Sequence, residues 1–207
     1  MYGRLPSFVF GFHGCDKSVC DGIVRGEINC LNVSTNDYDW LGNGIYFWEN
    51  DPKRALEFAQ FLKDHPERSH QNIRNPAVIG AAIDLGYCFN LMEAASLATL
   101  KRSYDHLKKR VEDICGELPE NVSTIESSED LLLRKLDCLV IQTTHALLKE
   151  ADIREYDSVR GLFFEGARLY PNAGFKEKNH IQICVRNPNS IKAYFLPRSV
   201  DDSFDIL

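Results

Sequence analysis

Long apolar runs, paired cysteine motifs and an excess of basic residues are all missing from this sequence. No apolar stretch approaches the roughly 20 residues that a membrane-spanning helix needs, and residues 1–6 do not begin a signal-peptide pattern. The seven cysteines are odd in number and include no C-x-x-C pair. We therefore expect a cytoplasmic protein with reduced thiols and no membrane partner.

The balance of charge is acidic, with 24 Lys and Arg against 30 Asp and Glu and a net charge of -6. The hydrophobic share of 44% is ordinary for a globular protein with a core. We expect a single domain over residues 1–207 with a helical insertion at about residues 92–150. The one basic patch lies at residues 101–110, and such a run is more often a solvated helix face than a nucleic-acid site.

No metal site is predicted. His13, Cys15 and Cys20 are close together in the sequence, but no second pair of Cys or His at zinc spacing follows.

The stretch LGNGIYFWEN at residues 41–50 predicts a strand that leads directly into a helix. Asp51 and Pro52 after it are a strong helix start. Side chains alternate along a strand, so Tyr46 and Trp48 share the face of Gly44, a residue without a side chain. Aromatic rings beside a glycine suit the binding of a flat ligand.

Two further strands carry polar residues opposite apolar ones. In FVFGFHG at residues 8–14 the three Phe share one face, which leaves His13 on the other. In HIQICV at residues 180–185, Gln182 lies opposite three aliphatic residues. If these strands join one sheet, His13, Tyr46 and Gln182 are predicted to line one cleft. The alternatives are ordinary: a satisfied core histidine, cross-strand aromatic packing and a satisfied strand amide.

Periodicity predicts the remaining elements. Helices are predicted at residues 16–28, 52–64, 92–115 and 129–149, and strands at residues 77–85, 156–166 and 191–195. The residues expected to face the core from the first two helices are Val19, Ile23, Val24, Ala55, Phe58, Ala59 and Leu62. The last two helices are expected to form a hairpin inserted into the α+β core.

The sequence resembles the ADP-ribosyltransferase fold in the order of three features. These are GFHG, then GNGIYF opening into a helix, then a late strand followed by a second short strand. The resemblance is to the branch shared by poly(ADP-ribose) polymerases and diphtheria toxin, which is marked by a His-Tyr-Glu triad. It covers roughly the first 60 and the last 40 residues. It implies an α+β fold with a split mixed β-sheet core, and NAD as a substrate.

The resemblance also implies residue roles. His13 would hydrogen-bond a ribose of NAD, the Gly14 backbone would pair with the nicotinamide amide, and Tyr46 would stack on the nicotinamide ring. Gly44 and Arg54 are further candidates for contact with the dinucleotide, although Arg54 is better explained as a solvated side chain.

The third triad position departs from the family pattern. Counting back from the strand at residues 191–195 places it on Gln182, with Glu177 in the preceding loop and Glu165 further upstream. Glutamine can hold a ribose hydroxyl but brings no charge to a developing oxocarbenium ion. Losing such a group costs on the order of a hundredfold in rate, about 3 kcal/mol. The residues predicted to take part in catalysis are His13, Tyr46, Gln182 and Glu177, with Glu165 as an alternative carboxylate.

The resulting expectation is a mono-ADP-ribosyltransferase that splits NAD and modifies a macromolecular acceptor, protein or nucleic acid. It fits a bacterial toxin or defence protein with an antitoxin or regulatory partner. The alternative is a weak or inactive member of the fold that binds NAD, ADP-ribose or an RNA end. A third possibility is hydrolysis of NAD with water as the acceptor.

Overall fold

The structure, a computed structural model, describes residues 8–68, 72–123 and 130–198. Residues 1–6, which do not predict a signal peptide, lie outside these ranges. The strands of the described chain are β1 (Phe8–Asp16), β2 (Ile45–Glu49), β3 (Pro76–Asp84), β4 (Cys88–Asn90), β5 (Asn121–Val122), β6 (Leu133–Arg134), β7 (Ser158–Phe163), β8 (His180–Val185) and β9 (Ile191–Phe195). Its α-helices are α1 (Lys17–Val24), α2 (Pro52–Asp64), α3 (Ala94–Asp113) and α4 (Lys135–Glu150).

A seven-stranded mixed sheet forms the centre of the molecule. Its strand order is β4-β7-β8-β2-β1-β3-β9, and every neighbouring pair is antiparallel except β4 and β7. The strands β5 and β6 form a separate two-stranded ribbon. The chain is therefore of mixed α and β structure, and the strands that carry His13, Tyr46 and Gln182 lie side by side as β1, β2 and β8.

The sheet has two covered faces, named here for the helices on them. On the α1 face, Cys20 and Ile23 of α1 pack with Phe47, Ile79 and Ile183 of the sheet. On the α2 face, the ring of Trp48 contacts Phe58 of α2 at a centroid distance of 5.0 Å. Helix α4 covers the same α2 face nearer β7, where Ile141 packs with buried residues of that face, namely Leu41, Phe89, Val159 and Cys184.

Several predicted elements match the structure closely because their end signals are local. Helix α2 has the predicted bounds, and the carboxylate of Asp51 caps it by accepting from Arg54 N at 2.9 Å. Strands β8 and β9 also have the predicted bounds. Two predicted core positions are wrong: Val24 and Phe58 are 52% and 39% exposed.

Helices α3 and α4 lie between β4 and β7 in the chain and pack against each other. The predicted start of the second of them, residue 129, lies outside the described residues, and α4 begins only at Lys135, after β6. Basic residues of α3 have acidic neighbours: Lys101 pairs with Asp105, and Lys108 lies 3.7 Å from Glu112. The basic patch therefore has the character of a solvated, internally paired helix face.

Within the described ranges, no helix is both long enough and apolar enough to cross a bilayer.

Candidate functional site

Strands β1 and β2 separate at His13. Their backbone pairing is limited to Gly11 with Glu49 and Phe12 with Trp48, although β1 continues to Asp16. Where the pairing stops, His13 Nδ1 lies 2.8 Å from the carbonyl oxygen of Tyr46. The imidazole thus takes the place of a backbone partner between the two strands.

This hydrogen bond defines the chemistry of the imidazole. A carbonyl oxygen only accepts, so Nδ1 carries the hydrogen and donates it. Burial lowers the pKa of His13, opposed in part by the bond to Tyr46, which leaves the ring neutral near pH 7. In a neutral imidazole the second nitrogen is then an acceptor. The Nε2 atom of His13 is suited to accept from a hydroxyl group, such as that of a ribose.

The predicted common cleft face needs a correction. Opposite residues of an antiparallel pair share a face, so Tyr46, Trp48 and Gln182 lie on the α2 face. His13 alternates with Phe12, which pairs with Trp48, and its ring lies beside Phe47, 6.0 Å between centroids, on the α1 face. The side chain of His13 therefore reaches the strand of Tyr46 through the split, and does not share a face with the ring of Tyr46.

Tyr46 is built into the core of the α2 face. Its ring packs among Leu41, Phe89 and Ile141. Its hydroxyl donates to Gly42 O at 2.8 Å and accepts from Leu41 N at 3.0 Å. Burial raises the pKa of this phenol well above its usual value. The ring and hydroxyl hold the turn before β2, so a ligand that stacks on this ring must displace that packing.

The two glycines of the predicted site permit close packing. A Cβ on Gly14 would lie 2.0 Å from Ala55 O of α2, and a Cβ on Gly44 would lie 2.4 Å from Cys184 Sγ. Both positions face the α2 side of the sheet. Close packing alone therefore explains why both positions are glycine, independently of any role in binding.

Gln182 has a defined partner. Its Oε1 accepts from Trp40 Nε1 at 2.6 Å. The indole also lies beside Phe163, with 5.2 Å between ring centroids. The amide is thus oriented by a neighbour on the α2 face, and a carboxylate oxygen could accept the same hydrogen bond.

The two acidic alternatives differ in position. Glu177 lies in the loop before β8, as predicted, and is exposed, with Oε2 near Ala167 N at 3.3 Å. Glu165 is half-buried, 3.2 Å from Arg54 Nη2 and 3.6 Å from Lys178 Nζ. The structure thus brings the side chains of Arg54 and Glu165 together, whereas the carboxylate of Glu177 accepts from the backbone of Ala167.

Sequence reasoning missed part of this region, which we call the α2-face cluster: Trp48, Arg54, Glu165, His180 and Gln182. Trp48 Nε1, Arg54 Nε and His180 Nε2 are buried and have no hydrogen-bond partner. His180 Nδ1 donates to Lys178 O at 2.7 Å, so its Nε2 is an acceptor, and burial lowers the pKa of this ring. The available signal was its position two residues before Gln182, which puts both side chains on the same face of β8.

The α2-face cluster combines the groups that a flat amide would contact. Trp48 Nε1 and Arg54 Nε are unpartnered donors and His180 Nε2 is an unpartnered acceptor, and both Trp48 and Arg54 interact with His180 through their side chains. The ring of His180 lies 6.2 Å from that of Trp48 and 5.2 Å from that of Phe163, centroid to centroid. Unpartnered buried polar atoms are uncommon in native proteins and require a ligand, a water or another explanation.

Metal ligation finds no support in the described part of the chain, where no group of three or more His, Cys, Asp or Glu side chains could hold an ion. Cys15 and Cys20 are buried with 3.4 Å between their sulfur atoms.

Comparison with known proteins gives one distant likeness. The chain is 23% identical over 210 residues to the uncharacterized protein MJ0359 of the archaeon Methanocaldococcus jannaschii, covering 92% of this chain and 89% of that one. No family model matches the chain. No solved structure matches it either.

Proposed function

We propose that this protein has the ADP-ribosyltransferase fold and is an NAD-dependent mono-ADP-ribosyltransferase that modifies a macromolecular acceptor. The observation that carries the proposal is the bond from His13 Nδ1 to the Tyr46 carbonyl at the split between β1 and β2. It leaves Nε2 as an acceptor suited to a ribose hydroxyl. The neighbouring positions of β8, β2 and β1 in the sheet support the same reading.

The chemistry requires a negative charge near the ribose. When the glycosidic bond breaks, its electron pair leaves with nicotinamide and the ribose gains oxocarbenium character. The acceptor nucleophile then bonds to the ribose carbon and loses a proton. We assign the stabilising carboxylate to Glu165, because Arg54 and Lys178 hold it beside His180 on the α2 face. His13 lies on the α1 face, so in this proposal it meets the same dinucleotide through the split between β1 and β2. Gln182 orients the ligand without supplying charge.

A second function, binding of NAD or ADP-ribose without transfer, is favoured by two observations. By the proposed resemblance Gln182 stands where the family has its glutamate, and its amide accepts from Trp40. The Tyr46 hydroxyl is fully engaged by the turn before β2. Both features suit a site that holds a dinucleotide but stabilises its cleavage poorly.

Incubation of the purified protein with labelled NAD and a cell lysate tests these functions. Transfer releases nicotinamide and labels a macromolecule, and sensitivity of that label to protease or nuclease identifies the acceptor class. We expect Glu165→Gln to lower nicotinamide release about 100-fold, the scale of losing one charge-stabilising group. Glu177→Gln tests the other candidate carboxylate, and Glu117→Gln, at an exposed position after α3, is the matched control and should behave as wild type.

The outcomes separate the candidates. Saturable NAD binding without nicotinamide release supports the binding function, and free ADP-ribose without labelled product indicates hydrolysis. An active wild type with equally active Glu165→Gln removes Glu165 from the mechanism. Gln182→Glu keeps an acceptor for Trp40 and should raise activity if the strand position is the one that faces the ribose.

A further inference from the structure

A cavity lies beside the last turns of α4, and no residue of the α2-face cluster lines it. It has a volume of about 320 Å³, within the range of small-ligand sites, and we call it the α4 cavity. It lies between α4, the segment before β7 and the end of β8. Its polar lining consists of Asn43, Gln142, His145, Lys149, Glu155 and Arg186.

Buried polar atoms in this lining lack partners. His145 is 3% exposed, and neither ring nitrogen has a hydrogen-bond partner. Arg186 Nε is also buried and unpartnered. Each such atom destabilises the fold if nothing satisfies it. The neutral imidazole offers one donor and one acceptor on different sides of the ring, and a ligand that accepts hydrogen bonds satisfies its donor.

The charges of the cavity favour an anion. Lys149 and Arg186 are the cations of the lining and Glu155 is its one carboxylate. Glu155 engages Arg186 Nη2 at 3.1 Å and lies 3.7 Å from His145 Nδ1. This pairing uses the outer end of the guanidinium and leaves Nε available. A net positive, partly buried site with Arg, Lys and His donors matches the oxygens of a phosphate group.

We propose that the α4 cavity binds a phosphate group, free or carried by a small ester, at a site distinct from the α2-face cluster. Arg186 Nε, Lys149 Nζ and one His145 N–H donate to phosphate oxygens. Arg186 lies four residues after Gln182, and four residues of extended chain span about 13 Å. This distance separates the α4 cavity from the α2-face cluster. The proposal stands whether or not the protein cleaves NAD.

Titration of the full-length protein with inorganic phosphate, followed by calorimetry at constant ionic strength, tests this site. Arg186→Gln should weaken phosphate binding at least tenfold, and Lys149→Gln several-fold. Glu155→Gln breaks the same ion pair but removes the opposing charge, so it should tighten binding. Lys109→Gln, an exposed α3 substitution, is the control and should leave the affinity unchanged.

Opposite effects of Arg186→Gln and Glu155→Gln support the proposal, because a purely structural role would make both variants weaker. Adenosine monophosphate and glycerol phosphate serve as ester probes, and tighter binding of either assigns the cavity to an ester. Absence of saturable binding by any of these probes overturns the site. Displacement of phosphate by NAD with the same dependence on Arg186 also overturns it, since the cavity would then belong to the dinucleotide site.

Discussion

Single hydrogen-bond partners decide what the polar residues of this protein can do. His13 is a neutral ring with a fixed tautomer because one carbonyl accepts from it. Gln182 has a fixed orientation because one indole donates to it. Neither partner is near in sequence, so residue type alone could indicate candidates but could not define their chemistry.

A two-bond ion pair joins β2 to β7 across the intervening strand β8. Arg160 contacts Glu49 through two bonds, Nε to Oε2 at 2.5 Å and Nη2 to Oε1 at 2.7 Å, and the two side chains are 19% and 10% exposed. The bond to Glu49 raises the pKa of Arg160 above its usual value.

Glu49→Gln should therefore lower the free energy of unfolding by about 2–3 kcal/mol, since it leaves a largely buried guanidinium without its counter-charge. Urea denaturation measures this change. Asp21→Asn removes the partner of the exposed Lys17 and should cost less than about 1 kcal/mol. Equal losses in the two variants would contradict the role of burial.

At the scale of elements, helix α2 packs closely on the sheet where Ala55 lies over Gly14 of β1. Gly14→Ala would place a methyl group 2.0 Å from the backbone oxygen of Ala55, so α2 must shift. We expect a loss of about 3 kcal/mol or more in the free energy of unfolding, the upper range for overpacking. Gly174→Ala has open space around it and should be neutral. Thermal and denaturant unfolding of both variants measure the difference.

The connection between β1 and α1 depends on one carboxylate. Asp16 accepts from Ser18 N and Oγ at 2.9 and 2.7 Å, and from Arg74 N and Asn75 N at 2.8 Å each. These bonds hold the pKa of Asp16 well below its usual value. The group therefore stabilises the fold above an unfolded pKa near 3.9, and this contribution is lost as the pH falls through the folded value.

Asp16→Asn should lower the free energy of unfolding by about 2 kcal/mol at pH 7, through loss of a charged cap and tether. The difference from wild type should shrink below pH 3.9, about the ordinary value of this carboxyl. Denaturant titrations at pH 7 and pH 3 test both statements. Asp113→Asn, exposed on α3, should show no such pH-dependent difference.

Sequence patterns predicted elements better than the faces of those elements. Caps and proline define α2 locally, and its bounds were predictable. The face of β1 that packs into the core was not predictable, because the three phenylalanines on one face suggest that this face is buried. The register with β2 instead directs Gly11 and His13 to the α1 face, and Phe8 and Phe10 are 56% and 54% exposed. Both faces of β1 carry apolar residues, so periodicity could not choose between them.

At the scale of the whole molecule, the buried His145 and His180 and the half-buried His13 make the stability of the fold sensitive to acid. Burial lowers the pKa of His13, His145 and His180, for His145 to about 3. In the unfolded chain they titrate near pH 6.5, about the free value. Between the folded and unfolded values the unfolded chain binds more protons, so stability falls as the pH drops below about 6.5.

The free energy of unfolding should decrease by up to about 1.4 kcal/mol per pH unit for each such histidine. Urea denaturation at pH 7.0 and 5.5 measures the slope. His145→Leu should flatten it, whereas His106→Gln, at an exposed position of α3, should not. An unchanged slope in His145→Leu would show that this ring is already protonated in the fold.

The late position of β8 in the chain affects how synthesis and folding are ordered. It lies between β7 and β2, so it joins β4 and β7 to the group formed by β2, β1, β3 and β9. Until residues 180–185 have left the ribosome, β8 is missing from the sheet. The edges of β7 and β2 that β8 pairs with are then open. Such edges recruit other chains. We expect ribosome-bound intermediates of this protein to depend on chaperones until the final strands emerge.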